Sequence, residues 1–343
     1  MRAVAVHGAD DLRVDEVPDP VAGHGEVLVA MEWGGICGSD LSYWRHGASG
    51  TAVLKHPLVL GHEIAGRIVA IGEGVDGLGL GDAVTVHPSQ PVGDEPLPER
   101  LAGRSNLHPQ IRYFGSAAFD PHTNGGFSEL RAVPAHMIRV LPEGVDTLNG
   151  ALAEPFAVAL HAVSRAGDIR GRDVLVNGAG PIGSLVVAAA LYRGAASVTA
   201  ADIQDSALAT AAALGATTTL NVANGDALPS DVEIVFETSG APGVLGSVLR
   251  ATARGGILVQ VGNLPGTPTP AALGDLVTRE ITWIGSYRFV DEIDDALAAF
   301  AGGLDVSAIV THRFPLAEAE AAMRVAADRS TGSSKVMLDL SAE

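Results

Sequence analysis

The sequence of 343 residues contains a single cysteine, Cys37, and little positive charge. One cysteine excludes an intramolecular disulfide framework and is typical of a protein from a reducing compartment. Lysine and arginine together number 22, against 40 aspartates and glutamates, which gives a formal net charge of −18. Nucleic acid and anionic membrane surfaces would repel such a chain, so we expect neither of them as a partner.

Long apolar runs are also missing from the sequence. The most apolar stretch, residues 184–191, is too short to span a bilayer. Met1 leads directly into a strand-like segment, 2–6, without the apolar region of a signal peptide. We therefore expect a soluble, cytoplasmic protein. With 47% apolar residues, the chain is long enough to form two domains that each bury a core.

The first 90 residues show short strands and turns. Residues 26–32 alternate as a strand does, with the large apolar side chains of Val27, Val29 and Met31 on one face, and no long helical period interrupts the region. This pattern predicts a β-rich domain. Residues 88–126 form a long irregular stretch, which in compact domains is usually functional or mobile. A strand pattern returns at 127–133.

The pattern changes near residue 150. Residues 151–166 have helical composition, with Pro155 near the predicted start, and strands then alternate with helices from 173 to 261. Apolar strands in such an alternation predict a parallel, doubly wound sheet. The fold class is therefore α/β. The segments predicted after residue 287 are a helix at 291–300, a strand near 309–314, a helix at 316–327 and a strand at 335–340.

A glycine motif lies between the first predicted strand and helix of this region. It reads Gly178-Ala179-Gly180-Pro181-Ile182-Gly183 and matches G-x-G-x-x-G. Its glycines let the backbone approach a pyrophosphate, whose charge the helix N-terminus attracts. Asp202 ends the next strand, where a carboxylate can bind a ribose 2′-hydroxyl and would repel a 2′-phosphate, so NAD is favoured over NADP. The alternative is a glycine loop that serves helix–strand packing only.

A second motif, Gly61-His62-Glu63-Ile64-Ala65-Gly66, places an imidazole beside a carboxylate. Both groups are good zinc ligands, and a catalytic zinc site needs only three protein ligands and an open position. The single thiol, Cys37, lies upstream in another glycine-rich segment. The alternative is that His62 is a hydrogen-bonded core histidine and Glu63 a surface carboxylate.

Together, Cys37, the 61–66 motif, Glu154-Pro155 and the nucleotide motif resemble the zinc-dependent medium-chain dehydrogenases. The resemblance covers nearly the whole chain and is strongest to the polyol branch, with the sorbitol dehydrogenases and, closer still, the L-idonate 5-dehydrogenases. The further segments that carry it are Cys37-Gly38-Ser39-Asp40, Tyr43-Trp44, His161-Ala162, 310–316, and, for the idonate enzymes, 114–117, 121–122, 125–127 and 285–289.

This resemblance implies two domains. Residues 1–150 and 287–343 would form a GroES-like catalytic domain, and residues 151–286 a Rossmann NAD-binding domain. Many relatives also carry a structural zinc on four cysteines in the lobe that matches roughly 88–112. This lobe contains no cysteine, and His87 and His108 are unclustered, so we expect no structural zinc.

The resemblance also implies a metal site. Cys37, His62 and Glu63 would hold one catalytic zinc, and Glu154 would be a fourth ligand or would sit behind a zinc-bound water. The alternative for Glu154 is a carboxylate favoured by a helix dipole. Ser39 would be the first group of a proton relay, or would cap the helix that begins near Asp40.

The substrate and cofactor residues follow from the same resemblance. The cofactor set, beyond the glycine motif and Asp202, is Val261, Gly262 and Arg288, and the substrate set is Tyr43, Phe114, His122 and Arg288. Arg288 could hold a sugar-acid carboxylate bidentately, or could be a cofactor-facing or structural arginine.

The expected reaction is hydride transfer to NAD from a secondary alcohol of a polyol or aldonate, specifically from L-idonate to 5-ketogluconate. The alternatives are a neutral polyol dehydrogenase and, in a different class, a non-catalytic nucleotide-binding relative. A homo-oligomer, tetramer or dimer, is expected because residues 281–285 are typical of an edge strand on which relatives pair.

Overall fold

The computed structural model describes residues 1–93 and 95–342. From the N-terminus to residue 165 the elements are β1 (Arg2–Gly8), β2 (Asp11–Glu16), β3 (Glu26–Gly35), α1 (Gly38–His46), β4 (Ala48–Ser49), β5 (Ala52–Val53), β6 (Leu58–Val59), β7 (Glu63–Ile71), β8 (Ala83–Val86), β9 (Ser89–Pro91), β10 (Ile111–Tyr113), β11 (Leu130–Pro134), β12 (Ile138–Val140) and α2 (Thr147–Arg165).

The elements of the rest of the chain alternate between strands and helices. They are β13 (Asp173–Asn177), α3 (Pro181–Tyr192), β14 (Ser197–Asp202), α4 (Asp205–Ala213), β15 (Thr218–Asn221), β16 (Val232–Glu237), α5 (Leu245–Ala251), β17 (Thr252–Gln260), α6 (Gly274–Thr278), β18 (Thr282–Gly285), α7 (Glu292–Ala301), β19 (Val310–Pro315), α8 (Ala319–Ala327) and β20 (Lys335–Asp339).

The chain forms two compact units. The first unit comprises Met1–Glu154, Phe300–Gly302 and Val310–Glu343, and the second comprises Pro155–Ala299 and Gly303–Ile309. The sequence placed the return to the catalytic domain at residue 287, whereas residues 287–299 belong to the second unit. One reason is a hydrogen bond of 2.7 Å between the Nδ1 atom of His161 in α2 and Glu292 at the start of α7.

The first unit is rich in β-structure, as predicted. Its main sheet has the order β12-β8-β7-β3-β20-β19, with β11 paired to β3, and a smaller sheet has the order β2-β1-β6. From Glu26 to Glu32 in β3, buried residues alternate with partly buried ones, as the sequence pattern predicted. The buried faces of these strands enclose an apolar core that includes Val27, Val29, Ile64 and Ile68.

The second unit contains a six-stranded sheet of order β15-β14-β13-β16-β17-β18. Every strand pair in it is parallel. In order of sequence this is the arrangement 3-2-1-4-5-6, so the predicted doubly wound sheet is confirmed. The strand order reverses between β13 and β16, and ligands of such sheets bind outside the carboxyl ends of the strands at that point.

Helix α2 differs from the prediction because it begins at Thr147 rather than at residue 151. The Asp146 carboxylate accepts the backbone N–H of Asn149 at 2.8 Å. This is the hydrogen bond that an N-cap side chain makes with the third residue after it. Pro155 therefore lies inside the helix and not near its start. The aspartate before the helix was the sequence signal for the earlier boundary.

The irregular stretch at 88–126 contains more order than its composition indicated. Strands β9 and β10 pair antiparallel, with Ser89 opposite Tyr113, and so close the lobe that carries no cysteine. Arg112 donates a hydrogen bond to the carbonyl of Pro121, and its guanidinium lies 4.9 Å from the ring centre of Phe119.

Among the described residues, no helix is long and apolar enough to cross a bilayer.

Candidate metal centre and nucleotide-binding edge

His62 and Glu63 lie where the chain enters strand β7. Gly61, immediately before them, has a backbone φ of +97°, and a Cβ atom there would lie 2.1 Å from the Phe127 ring. Only glycine tolerates both conditions. The turn therefore directs His62 and Glu63 into the interior, where their exposed fractions are 6% and 1%. The alternative of a surface carboxylate at Glu63 is wrong.

Cys37 is held next to this turn by Asp40. Cys37 is the N-cap residue of α1, so the suggested capping role of Ser39 is wrong. The Asp40 carboxylate accepts the backbone N–H of Cys37 at 2.9 Å and that of Gly61 at 3.3 Å. One fully buried side chain thus links the two segments that carry the candidate ligands.

These contacts bring one ligand atom each from Cys37, His62 and Glu63 within 4.8 Å of one another. The Nδ1 atom of His62 is buried without a hydrogen-bond partner, which is costly for a polar atom unless a ligand compensates it. A sulfur, nitrogen and oxygen donor set at this spacing fits a zinc ion.

The electrostatics of the cluster agree with this fit. Burial alone would lower the pKa of His62, but Cys37, Asp40 and Glu154 outweigh burial and raise it well above the usual range. Burial and the charge of Glu63 raise the pKa of Glu154. Protons are retained on these side chains because acidic groups are in excess, and a divalent cation would balance the same charge.

Lys335 supplies the counter-charge of the cluster. Its ammonium group lies at the start of β20, is 2% exposed, and donates to Glu63 Oε1 at 2.7 Å and to the carbonyl of Ile36 at 3.2 Å. Burial opposes the charged form of Lys335, yet Glu63 and Cys37 raise its pKa above the usual value. The lysine therefore remains charged and fixes the Glu63 carboxylate.

Glu154 lies near the cluster but outside the group of three close donors. Its carboxylate accepts a hydrogen bond of 2.6 Å from the Tyr113 hydroxyl, and the Tyr113 ring lies edge-on to His62 with centroids 5.5 Å apart. Two roles were considered for Glu154, a fourth zinc ligand and a residue behind a zinc-bound water. Its position outside the donor group favours the second role.

The predicted substrate residues occupy different environments. Tyr43 and Phe114 pack in the apolar core, and the Tyr43 hydroxyl accepts the backbone N–H of Ala117 at 3.0 Å. His122 accepts the N–H of Lys55 at 3.0 Å through Nε2 and contacts the carbonyl of Phe119 at 2.8 Å through Nδ1. Both ring nitrogens of His122 are thus engaged with backbone, which leaves neither for a substrate hydroxyl.

The glycine motif of the second unit lies at the carboxyl end of β13, where α3 begins. Asp202 ends the neighbouring β14 and accepts the backbone N–H of Ala179 at 2.6 Å through Oδ2. Its Oδ1 accepts those of Ile203 at 2.7 Å and Gln204 at 2.9 Å. A carboxylate has about four lone-pair positions, so one on Oδ2 remains for a ribose hydroxyl.

Val261 and Gly262 follow β17 at the same edge of the sheet. Their N–H groups donate to the main-chain carbonyl of Glu237 at 2.8 and 2.9 Å. Arg288 belongs to the loop between β18 and α7, has a backbone φ of +51°, and places its guanidinium 4.9 Å from the ring centre of Tyr287.

Sequence reasoning missed the roles of Asp40, Tyr113 and Lys335. Asp40 is part of the quoted Cys37–Asp40 segment, but its bridge to Gly61 joins residues far apart in the chain. Tyr113 and Lys335 sit at strand ends and resemble ordinary exposed residues in the sequence. Their functional positions depend on strand pairing that no local pattern specifies.

A close cluster of sulfur, nitrogen and oxygen donors, in a chain with a 3-2-1-4-5-6 parallel sheet, defines a metal-dependent, nucleotide-linked oxidoreductase. Family models agree: residues 23–143 match the alcohol dehydrogenase GroES-like domain, and residues 181–302 match the zinc-binding dehydrogenase family.

Two curated relatives are similar over most of their length. The L-idonate 5-dehydrogenase (NAD(P)(+)) of Escherichia coli K12 is 35% identical over 317 residues, 91% of each chain. The sorbitol dehydrogenase of Gallus gallus is 37% identical over 330 residues, 92% of this chain and 90% of its own. The crystal structure of Escherichia coli L-idonate 5-dehydrogenase superposes with a TM-score of 0.91 at 33% identity, over 98% of this chain and 97% of that one.

The chain belongs to the zinc-dependent medium-chain dehydrogenases, in the polyol dehydrogenase branch. It is an NAD(P)-dependent zinc dehydrogenase of polyols or sugar acids. The resemblance inferred from the motifs is confirmed.

The buried Lys335–Glu63 pair leads to a stability prediction. Lys335→Met leaves the Glu63 carboxylate buried without its counter-charge, so we expect the metal-free protein to lose about 3–5 kcal/mol of unfolding free energy. Arg324→Met is the control, because it removes an exposed pair with Glu320 and should change little. Urea unfolding after chelation measures both variants. Equal stability of the two would contradict a structural role for the buried pair.

Proposed function

We propose that this protein oxidises a secondary alcohol of a sugar acid with NAD, and that L-idonate, converted to 5-ketogluconate, is its substrate. The observation that carries the chemistry is the close donor group formed by Cys37, His62 and Glu63. The similarity to an L-idonate 5-dehydrogenase supports the choice of substrate, and Arg288 is the residue expected to recognise the carboxylate.

One zinc ion would be held by Cys37, His62 and Glu63, and Glu154 would lie near it. The ion supplies Lewis acidity that lowers the pKa of an alcohol, and the nicotinamide supplies the hydride acceptor. Lys335 orients the Glu63 carboxylate by donating a hydrogen bond to it. The Tyr113 hydroxyl orients the Glu154 carboxylate in the same way. Ser39, partly exposed in the first turn of α1 beside Cys37, would pass the released proton outward.

NAD would bind along the carboxyl edge of the second unit's sheet. The N-terminus of α3 follows the glycine motif and would receive the pyrophosphate. The free lone pair of Asp202 would accept a ribose hydroxyl. Its negative charge disfavours the 2′-phosphate of NADP, and the residues that follow, Ile203 to Ala207, include no arginine.

The cofactor preference can be measured with Asp202→Asn. We expect the unchanged protein to prefer NAD over NADP by at least about a hundredfold in kcat/KM, because like charges placed together cost several kcal/mol. Asp202→Asn should narrow that ratio. Asp173→Asn, at the amino end of β13, is the matched control and should leave the ratio unchanged. Equal use of both cofactors by the unchanged protein would refute the preference.

Substrate choice can be measured with a panel of aldonates and neutral alditols. We expect L-idonate to be used better than sorbitol or xylitol. Arg288→Ala should raise the KM for L-idonate about tenfold, since it removes a charged hydrogen-bond partner, while it spares the alditols. The control is Arg254→Ala, an exposed arginine of the same unit that donates to the carbonyl of Thr278.

The panel also distinguishes the alternative substrate class. If sorbitol and L-idonate are used equally well, or if Arg288→Ala affects both alike, the sugar-acid proposal fails and a neutral polyol dehydrogenase remains. A non-catalytic nucleotide-binding protein is disfavoured, because the candidate ligands Cys37, His62, Glu63 and Glu154 are all present.

Association into a dimer or tetramer stays a prediction. It is supported by β18, which lies at the end of the six-stranded sheet, as the sequence indicated. The mass in solution, compared with 35.0 kDa for one chain, measures it.

A further inference from the structure

Glu237 is a fully buried carboxylate at the carboxyl end of β16, and it takes no part in the proposed hydride transfer. It lies at the point where the strand order of the parallel sheet reverses. In the strand registers, Glu237 is opposite Asn177 of β13 on one side and Gln260 of β17 on the other. Three polar side chains therefore lie side by side across the edge where the nucleotide is expected.

The groups around the Glu237 carboxylate are all hydrogen-bond donors. Oε1 accepts from the Asn177 side chain at 3.3 Å, from the Ser239 N–H at 2.9 Å and from the Ser239 hydroxyl. Oε2 accepts from the Gly240 N–H at 3.1 Å and from the Gln260 amide at 2.5 Å. A carboxylate has only acceptor oxygens, so it matches this surrounding as an amide could not.

The same residue also orders the loop after β17. Its main-chain carbonyl accepts the N–H groups of Val261 and Gly262. Its side chain reaches that loop through Gln260, whose amide nitrogen also donates to the Gly262 carbonyl at 2.8 Å. Gly262 lies so close to the loop after β16 that a Cβ atom would fall 2.2 Å from the Gly240 nitrogen.

The loop after β13 is joined to this arrangement by Thr238. Its N–H donates to the Asn177 carbonyl at 2.9 Å, and its hydroxyl donates to the Gly178 carbonyl at 2.5 Å. The first glycine of the nucleotide motif is therefore fixed by the residue next to Glu237. The loops after β13, β16 and β17 are thus all linked to the buried segment around Glu237.

We propose that Glu237 is a positioning residue for the dinucleotide: it orders the loops after β13, β16 and β17 into the conformation that binds NAD. This inference rests on the proposed NAD site at Gly178–Gly183. Without the carboxylate, a smaller fraction of molecules has all three loops in the binding conformation, and the apparent Kd rises in inverse proportion to that fraction.

The test measures NAD binding by calorimetry, independently of turnover. Glu237→Gln places an NH₂ group against N–H donors and should raise the Kd for NAD about tenfold, with kcat at saturating NAD changed much less. Gln260→Met is a milder second variant, in case Glu237→Gln does not fold. It should raise the Kd in the same direction by a smaller factor.

Thr252→Val is the matched control. It removes another buried hydrogen bond of the same unit, from the Thr252 hydroxyl at the amino end of β17 to the Val248 carbonyl in α5. It should lower the melting temperature without changing the Kd for NAD. If Glu237→Gln and Gln260→Met bind NAD as the unchanged protein does, the proposal is overturned. If the unchanged protein itself fails to bind NAD, the proposed function fails instead.

Discussion

Buried acidic side chains are the constraint on which the first unit of this protein depends. Asp40, Glu63 and Glu154 are buried beside Cys37, where unpaired charge would cost several kcal/mol per group. Lys335 balances part of it at 2.7 Å from Glu63, and Asp40 is held by two backbone N–H groups. What remains unbalanced, together with the unpaired Nδ1 of His62, is what a zinc ion would compensate.

In the second unit, buried or partly buried carboxylates order the loops at the edge of the parallel sheet. A parallel sheet leaves the loops at its carboxyl edge without the hydrogen bonds of regular strands. Here two carboxylates provide them, Asp202 for the glycine motif and Glu237 for the loops after β16 and β17. Both accept backbone N–H groups, so acidic side chains order the edge of the sheet where the nucleotide is expected.

Much of the fold could be predicted from the sequence, because its signals are local. The two-residue alternation at 26–32 predicted a strand there. The apolar runs after residue 173, which alternate with helical segments, predicted the strands of the parallel sheet. The prediction failed where tertiary contacts decide. Residues 287–299 belong to the second unit, where Glu292 contacts His161, and β9 and β10 pair across a stretch of irregular composition. His122 looked available for a substrate but is held by backbone on both sides.

The candidate ligands could be named from the motifs, whereas the residues that orient them could not. Glycine-flanked Cys37 and His62-Glu63 are recognisable in the sequence. Tyr113 and Lys335 reach the same cluster from strands β10 and β20, and only the folded chain brings them there. The metal content of the purified protein tests the central claim most directly. We predict one zinc per chain, with NAD reduction lost on chelation and restored by zinc. A metal-free protein with full activity, or two zinc ions per chain, would contradict it.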